Sequence, residues 1–289
     1  MKNIRIFLFA TLAIIAMVSA TMMYAPAAAA QSNRSEETFE RILPLSSGGQ
    51  FSVENYKGRI EIIASNQNQV KVDVKKYVVG SESSRQRWMR DVTVDFTQSS
   101  NHAGVRVRYP NHNCAFFCDD NDIDESGVEL RIQVPRSVNL QIDGYKPDML
   151  IRGTQGDLRI NSYKSEMQIE HIQGPIHIET YKERIEMRDV DVQGRLYIKT
   201  YSGEVDADLT NIGTDVTLDT YKGDVTLRIP DRTGLDVDFS DGRRGNFQSD
   251  FPLTSNQGYR SSSIRGTING GGASLHFETY KGTLNLRRR

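Results

Sequence analysis

Apolar and polar residues recur with a fixed period along the middle of the chain. Four segments share a tyrosine followed by a small or basic polar residue: NSYKSEMQI, ETYKERIEM, KTYSGEVDA and DTYKGDVTL. Their tyrosines are Tyr163, Tyr181, Tyr201 and Tyr221, spaced 18, 20 and 20 residues apart. A period of this size is typical of stacked structural repeats.

The apolar positions follow the same register as the tyrosines. Two apolar residues precede each tyrosine and two follow it, at alternate positions, which is the pattern of a half-buried strand. Aligned between repeats, they form four columns: Leu158, Ile176, Leu196 and Val216; Ile160, Ile178, Ile198 and Leu218; Met167, Ile185, Val205 and Val225; Ile169, Met187, Ala207 and Leu227. Each repeat is therefore predicted to hold two short strands.

The chain is predicted to bend at the tyrosine. The separation of Ile160 and Met167 is odd, so strict alternation cannot run through residues 162–165. We interpret the Thr-Tyr-Lys-Gly-like segment as a corner between strands. Glycines mark a second turn on the opposite side of the repeat, namely Gly174, Gly194 and Gly213.

These features predict an all-β fold, a single-domain β-solenoid (β-helix-like) with coils of 18 to 20 residues and irregular ends. One coil cannot bury enough apolar surface to fold alone, so neighbouring coils must complete the core. Regular coils are expected over residues 143–230, with outlying copies of the corner at Asn55, Gly144 and Glu278. Other predicted elements are strands at Val70–Val74, Val92–Phe96 and Val105–Tyr109 and a helix at Glu82–Arg90.

The first thirty residues have the layout of a signal peptide. Lys2 and Arg5 precede an apolar run, and four alanines ending at Ala30 provide an Ala-x-Ala cleavage site. Residues 1–30 are therefore predicted to be removed, which leaves a domain at 31–289 with no membrane span and places it in the periplasm or at the cell surface. An uncleaved anchor is the alternative.

Charge argues against one class of partner. The chain has 36 basic and 37 acidic residues, and without residues 1–30 the formal net charge is −3. A nucleic-acid-binding domain would show a basic patch or stripe. We therefore expect no nucleic-acid partner.

The repeats resemble a known family. The exported leader, the recurrent strand-turn-strand units with glycine after the corner, and the closing ETYKGTLNLR segment are similar to the bacterial putative-adhesin family of exported strand-repeat proteins, whose function is unknown. The resemblance covers nearly all of the chain after residue 30. It implies a strand-repeat fold and an adhesin-like role, and it implies no catalytic residues.

The corner residues are the candidate binding site. In stacked coils, Tyr163, Tyr181, Tyr201 and Tyr221 would form an aromatic column that could contact a glycan or an envelope or surface protein. The lysines that follow three of them would lie alongside, namely Lys164, Lys182 and Lys222. The alternative is a ladder that only stabilises the corner. Acidic residues on both sides of each tyrosine are expected to offset the repulsion between lysines, about 1 kcal/mol per neighbouring pair in water.

An insertion loop at 111–127 carries two further candidates. Cys114 and Cys118 are predicted to form a disulfide, since paired cysteines in an exported protein are usually oxidised. The alternative, metal ligation together with His112 and Asp119, lacks the second ligand pair of a zinc module. Calcium binding at a run of aspartates is left open, although the run lacks the glycine and glutamate of an EF-hand: Asp120, Asp122 and Asp124.

No motif supports catalysis. The sequence contains no His-x-x-x-His pair, no Gly-x-Ser-x-Gly elbow and no phosphate-binding loop. We therefore expect a non-catalytic interaction or structural protein of the cell envelope or surface, with no cofactor and no metal. The alternative is a polysaccharide-cleaving β-helix enzyme that uses paired carboxylates.

Overall fold

Strands make up almost all of the described structure. The computed structural model describes residues 33–110, 122–241, 244–255 and 263–289. The predicted signal peptide, both cysteines and Asp120 lie outside these ranges. Within them, the strands of the N-terminal half are β1 (Arg34–Pro44), β2 (Gly49–Ser65), β3 (Gln69–Gly80), β4 (Thr93–Gln98), β5 (His102–Arg108), β6 (Ile123–Pro135) and β7 (Val138–Arg152). The helix α1 (Glu82–Asp91) lies between β3 and β4.

The remaining strands run from the centre to the C-terminal end. They are β8 (Leu158–Asn161), β9 (Met167–Glu170), β10 (Gln173–Lys182), β11 (Ile185–Ser202), β12 (Val205–Ile212), β13 (Asp215–Lys222), β14 (Val225–Ile229), β15 (Leu235–Asp241), β16 (Asn246–Ser249), β17 (Ser263–Ile268), β18 (Ala273–Lys281) and β19 (Thr283–Arg288). The fold is all-β and solenoid-like, as predicted.

Parallel pairing confirms the four apolar columns. Before the corner, Leu158 pairs with Ile176, and Leu196 with Val216; the columns after the corner pair in the same way. All sixteen side chains are at most 2% exposed. Parallel strands can be buried in this way only when their apolar residues lie in register, because a shift by one residue turns every side chain to the other face.

The spatial order of the coils differs from the chain order at both ends. β2 lies beside β7, with Phe51 opposite Leu140. At the other end, β13 pairs with β18, and β18 pairs in turn with β15. The last strands of the chain therefore lie between residues 215–229 and residues 235–249. This insertion continues the apolar columns, since Leu275 and Phe277 are fully buried.

Antiparallel strands cover the N-terminal end of the stack. β1 pairs with β3, β3 with β6, and β4 with β5, in antiparallel register. The predicted helix is confirmed as α1. A buried lysine fastens it, because Lys76 Nζ donates hydrogen bonds to Glu37 Oε2 at 2.8 Å and to the Met89 carbonyl at 2.7 Å. β6 begins at Ile123, inside the range predicted as a loop.

The bend lies where it was predicted in one coil, and the break between strands is shorter in others. β8 ends at Asn161 and β9 begins at Met167, so the break includes the predicted residues 162–165, whereas β10, β13 and β18 continue through the tyrosine and the following lysine. Alternation continues to this point because a buried threonine precedes the tyrosine in four coils: Thr180, Thr200, Thr220 and Thr279.

Close approach between coils explains the glycine after the corner. A Cβ at Gly223 would lie 2.1 Å from the carbonyl oxygen of Gly203. In the coil on the other side of Gly203, the equivalent residue is Glu183. Its φ of 87° lies in the left-handed region that favours glycine. The described residues contain no helix with the length and apolar character needed to cross a membrane.

Candidate functional site

Seven tyrosines lie in one column along the corner edge. Neighbouring ring centroids are 4.6–4.9 Å apart and neighbouring ring planes differ by 5–14°. The structure thus brings the four predicted tyrosines together and adds three from the outlying corners. In spatial order, the tyrosine column is Tyr56, Tyr145, Tyr163, Tyr181, Tyr201, Tyr221 and Tyr280.

The column exposes ring edges, not ring faces. At these distances each ring covers the face of its neighbour, which satisfies aromatic stacking within the protein. Even so, the most exposed tyrosines keep 39–45% of their surface in contact with solvent. A flat ligand therefore cannot insert between these rings, and the groups available to a partner are hydroxyls and ring edges.

Tyr109 closes the N-terminal end of the column. Its ring centroid lies 5.6 Å from that of Tyr56, and the two planes are tilted by 57°. The Tyr109 hydroxyl lies 3.1 Å from Asn55 Oδ1 and 3.0 Å from the Lys57 carbonyl oxygen. Burial raises the pKa of this hydroxyl. The sequence analysis missed this role, because Tyr109 follows a strand of the irregular end and belongs to no repeat.

Six lysines follow the tyrosine column and form a second row. The three predicted lysines are joined by those of the outlying corners, and Ser202 interrupts the series. Four of the ammonium groups lie 5.3–5.7 Å from the centroid of the preceding tyrosine, within range of a cation–π interaction. We call the six the corner lysines: Lys57, Lys146, Lys164, Lys182, Lys222 and Lys281.

Within the described ranges, the corner lysines form no direct ion pair with the acidic residues that were expected to offset their repulsion. In the described ranges, no carboxylate oxygen lies within 4.0 Å of any of their ammonium groups. Two of the acidic residues near the corner pair with other cations: Asp219 pairs with Lys199 at 3.0 Å and Glu204 with Arg184 at 3.3 Å.

Burial and repulsion both act on the lysine at the N-terminal end of the row. Lys57 and Lys146 are register partners in neighbouring coils. Burial, and then the charge of Lys146, lower the pKa of Lys57. The folded structure therefore disfavours the ammonium form of at least this lysine.

A shallow groove runs along the other side of the tyrosine column. Its volume is about 470 Å³. A hydrogen bond to Asp219 raises the pKa of Lys199, which lies in the middle of the groove. The groove is lined by tyrosine edges and by this mixed row of charges: Tyr181, Tyr201, Tyr221, Glu179, Lys199 and Asp219.

Two other candidates gain no support from the geometry. Among the described residues, no three His, Cys, Asp or Glu side chains are grouped so that they could hold a metal ion. Asp122 and Asp124 lie within the described ranges, whereas Cys114, Cys118 and Asp120 do not. The disulfide remains a prediction.

Comparison with known proteins places the central and C-terminal coils in a family. The family model described as Toastrack DUF4097 matches residues 136–287, which include six members of the tyrosine column. No curated protein matched the chain.

Several solved structures from bacteria match the chain at low sequence identity. One is a crystal structure described as a putative cell adhesion protein from Clostridium sporogenes, with 10% identity, a TM-score of 0.38, and coverage of 88% of this chain and 100% of that chain. Another is described as a putative adhesin from Bacteroides fragilis, with 10% identity, a TM-score of 0.34, and coverage of 88% of this chain and 98% of that chain. A third is described as a putative adhesin from Parabacteroides merdae, with 10% identity, a TM-score of 0.37, and coverage of 86% of this chain and 96% of that chain.

Proposed function

This chain belongs to the Toastrack DUF4097 family, and from that premise we propose that it is a non-catalytic, adhesin-like interaction protein of the cell envelope or cell surface. One observation carries the proposal. The tyrosine column continues through seven coils, with six lysines beside it and hydroxyls and ring edges facing solvent. A stacked scaffold that repeats the same polar group at each coil suits a long partner.

The same geometry argues for binding along the edge and not in a pocket. The rings already cover each other, so the column is rigid before a partner arrives, and ordering it costs little on binding. The proposed contact residues are the central tyrosines and their lysines, with a glycan or an envelope or surface protein as the partner: Tyr163, Tyr181, Tyr201, Tyr221, Lys164, Lys182 and Lys222.

Replacing two central rings tests this proposal. We expect the Tyr181→Ser, Tyr201→Ser double variant to lose most binding to a glycan array and to isolated envelope fractions, because two neighbouring coils lose their hydroxyls and ring edges. Tyr197→Ser is the matched control, since Tyr197 stacks on His177 on the outer strand face, away from the column.

The outcome is decided on folded protein. Circular dichroism and thermal unfolding must first show that both variants keep the strand structure. If the wild-type protein binds neither glycans nor envelope material, or if the double variant binds as well as the Tyr197→Ser control, the proposal is wrong and the column serves only to stabilise the corner.

A further inference from the structure

The ten lysines in the described ranges fall into two groups. Four do not follow a tyrosine of the column, and each has a carboxylate within 4.0 Å: Lys71, Lys75, Lys76 and Lys199. The other six are the corner lysines, and none has such a partner among the described residues. In the described ranges, every lysine that directly follows a tyrosine of the column lacks a carboxylate partner, and every other lysine has one.

Stacking places the unpaired charges next to one another. Lys57 is opposite Lys146, Lys164 opposite Lys182, and Lys222 opposite Lys281. Like charges in directly opposed positions destabilise a sheet. The cation–π contacts of four of these lysines do not neutralise their charges, and among the described residues no carboxylate within 4.0 Å does so. An external anion with charges along the same line would neutralise it.

We propose that the corner lysines bind a linear anionic glycan, one that carries carboxylates or phosphates along its length, lying parallel to the tyrosine column. This inference rests on the proposed function and specifies its partner. The ammonium groups neutralise the anionic groups, while the tyrosine hydroxyls, which both donate and accept hydrogen bonds, contact the sugar hydroxyls. The whole site lies on one edge of the stack.

The geometry favours a glycan over two other polyanions. Single-stranded nucleic acids bind by stacking bases on aromatic faces, and here the rings cover each other's faces. An extended acidic peptide places side chains on one face about every 6.6 Å, which does not match coils about 4.8 Å apart. A polyol chain with charged groups needs neither exposed ring faces nor a strand-like pitch.

A pair of double variants tests the inference. Lys164→Gln, Lys182→Gln removes two corner charges; Lys71→Gln, Lys75→Gln removes two charges from β3 and leaves the corner intact. Binding to polygalacturonate and to a phosphomannan separates the carboxylate and phosphate sources, with dextran as the neutral polymer. We expect the corner variant to lose about tenfold in affinity and the control less than about twofold.

Salt dependence and a gain of charge provide independent readouts. Wild-type affinity for the anionic glycan should fall as salt rises from about 50 to 200 mM, with a shallower slope for the corner variant. Ser202→Lys fills the gap in the lysine row and should bind more tightly than Ser202→Gln. This second pair is informative even if Lys164→Gln, Lys182→Gln folds poorly.

Failure of the inference is distinguishable from failure of the proposed function. Equal binding of dextran, salt-independent binding, or preference for an oligonucleotide or polyglutamate would overturn the anionic glycan while leaving a tyrosine-dependent partner intact. Loss of all binding by wild-type protein would overturn both.

Discussion

The row of corner lysines and a column of charged residues on the outer face of the strands after the corner are built by the same stacking. They differ in the signs of the charges that stacking brings together. On the outer face, Arg152, Glu170 and Arg188 occupy successive coils, and Glu170 pairs with the two arginines at 2.6 and 4.0 Å. At the corner, Lys164 and Lys182 occupy successive coils with no carboxylate within 4.0 Å in the described ranges. One column alternates in sign, whereas the other repeats a single sign.

The difference indicates which surface of the solenoid is available to bind a charged partner. Because each outward position meets the same position of the next coil, any repeated charge must be neutralised or must repel its neighbour. In the column of Arg152, Glu170 and Arg188, the charges are neutralised within the fold. The corner lysines have no carboxylate within 4.0 Å among the described residues, and an external anion would neutralise them.

The largest expected effect comes from replacing a glycine that lets two coils approach each other closely at the corner. Gly223→Ala places a Cβ 2.1 Å from the Gly203 carbonyl, so the two coils must separate, and we expect a loss of about 3 kcal/mol in the free energy of unfolding. Gly270→Ala is the control, because its Cβ meets nothing within 4 Å and the cost is limited to backbone strain at φ 85°, about 1 kcal/mol. Urea denaturation measures both; equal losses would contradict the close approach.

Reversing one charge in each of the two columns should change the free energy of unfolding in opposite directions. Glu170→Lys makes the outer column repulsive and should lower the free energy of unfolding by about 2 kcal/mol, whereas Lys164→Glu makes the corner alternate and should raise it by about 0.5 kcal/mol. Denaturation at low and high salt checks both values, since screening should reduce each effect. If both reversals destabilise alike, the two columns do not differ in the way described.

Alkaline pH should lower the free energy of unfolding through Tyr109, at the N-terminal end of the tyrosine column. Tyr109 ionises near pH 10 when unfolded, but burial raises its pKa in the folded protein. Above pH 10 the unfolded state therefore releases the proton first, and the free energy of unfolding falls by up to about 1.4 kcal/mol per pH unit. Tyr109→Phe should show a smaller fall between pH 10 and 11 in the same denaturation assay. An unchanged slope would show that Tyr109 is not buried as described.

Much of the central fold follows from the repeat in the sequence. The register of Ile178 and Ile198, for example, is recoverable because both precede a tyrosine by the same distance and both must face the core. The continuation of β10 through Tyr181 was not predicted, because the buried polar side chain of Thr180 continues the alternation, whereas a search for apolar residues ends at Ile178.

The rest of the site required contacts between distant segments. Tyr280 stacks on Tyr221 although 59 residues separate them, and Tyr109 caps Tyr56 from another strand. Neither contact is encoded in a local period. The pairing of Lys199 with Asp219, by contrast, joins register partners one repeat of 20 residues apart.

The sequence by itself determined the all-β repeat, the four apolar columns and the presence of a tyrosine at each corner, because periodic burial leaves a periodic trace in the residues. The tertiary structure alone decided the order of the coils at the ends, the continuity of the tyrosine column and, among the described residues, the lack of a carboxylate within 4.0 Å of the corner lysines. These depend on where side chains from separate coils meet in space, and an ammonium group has a counter-charge only if a carboxylate leaves the same face within a few ångströms.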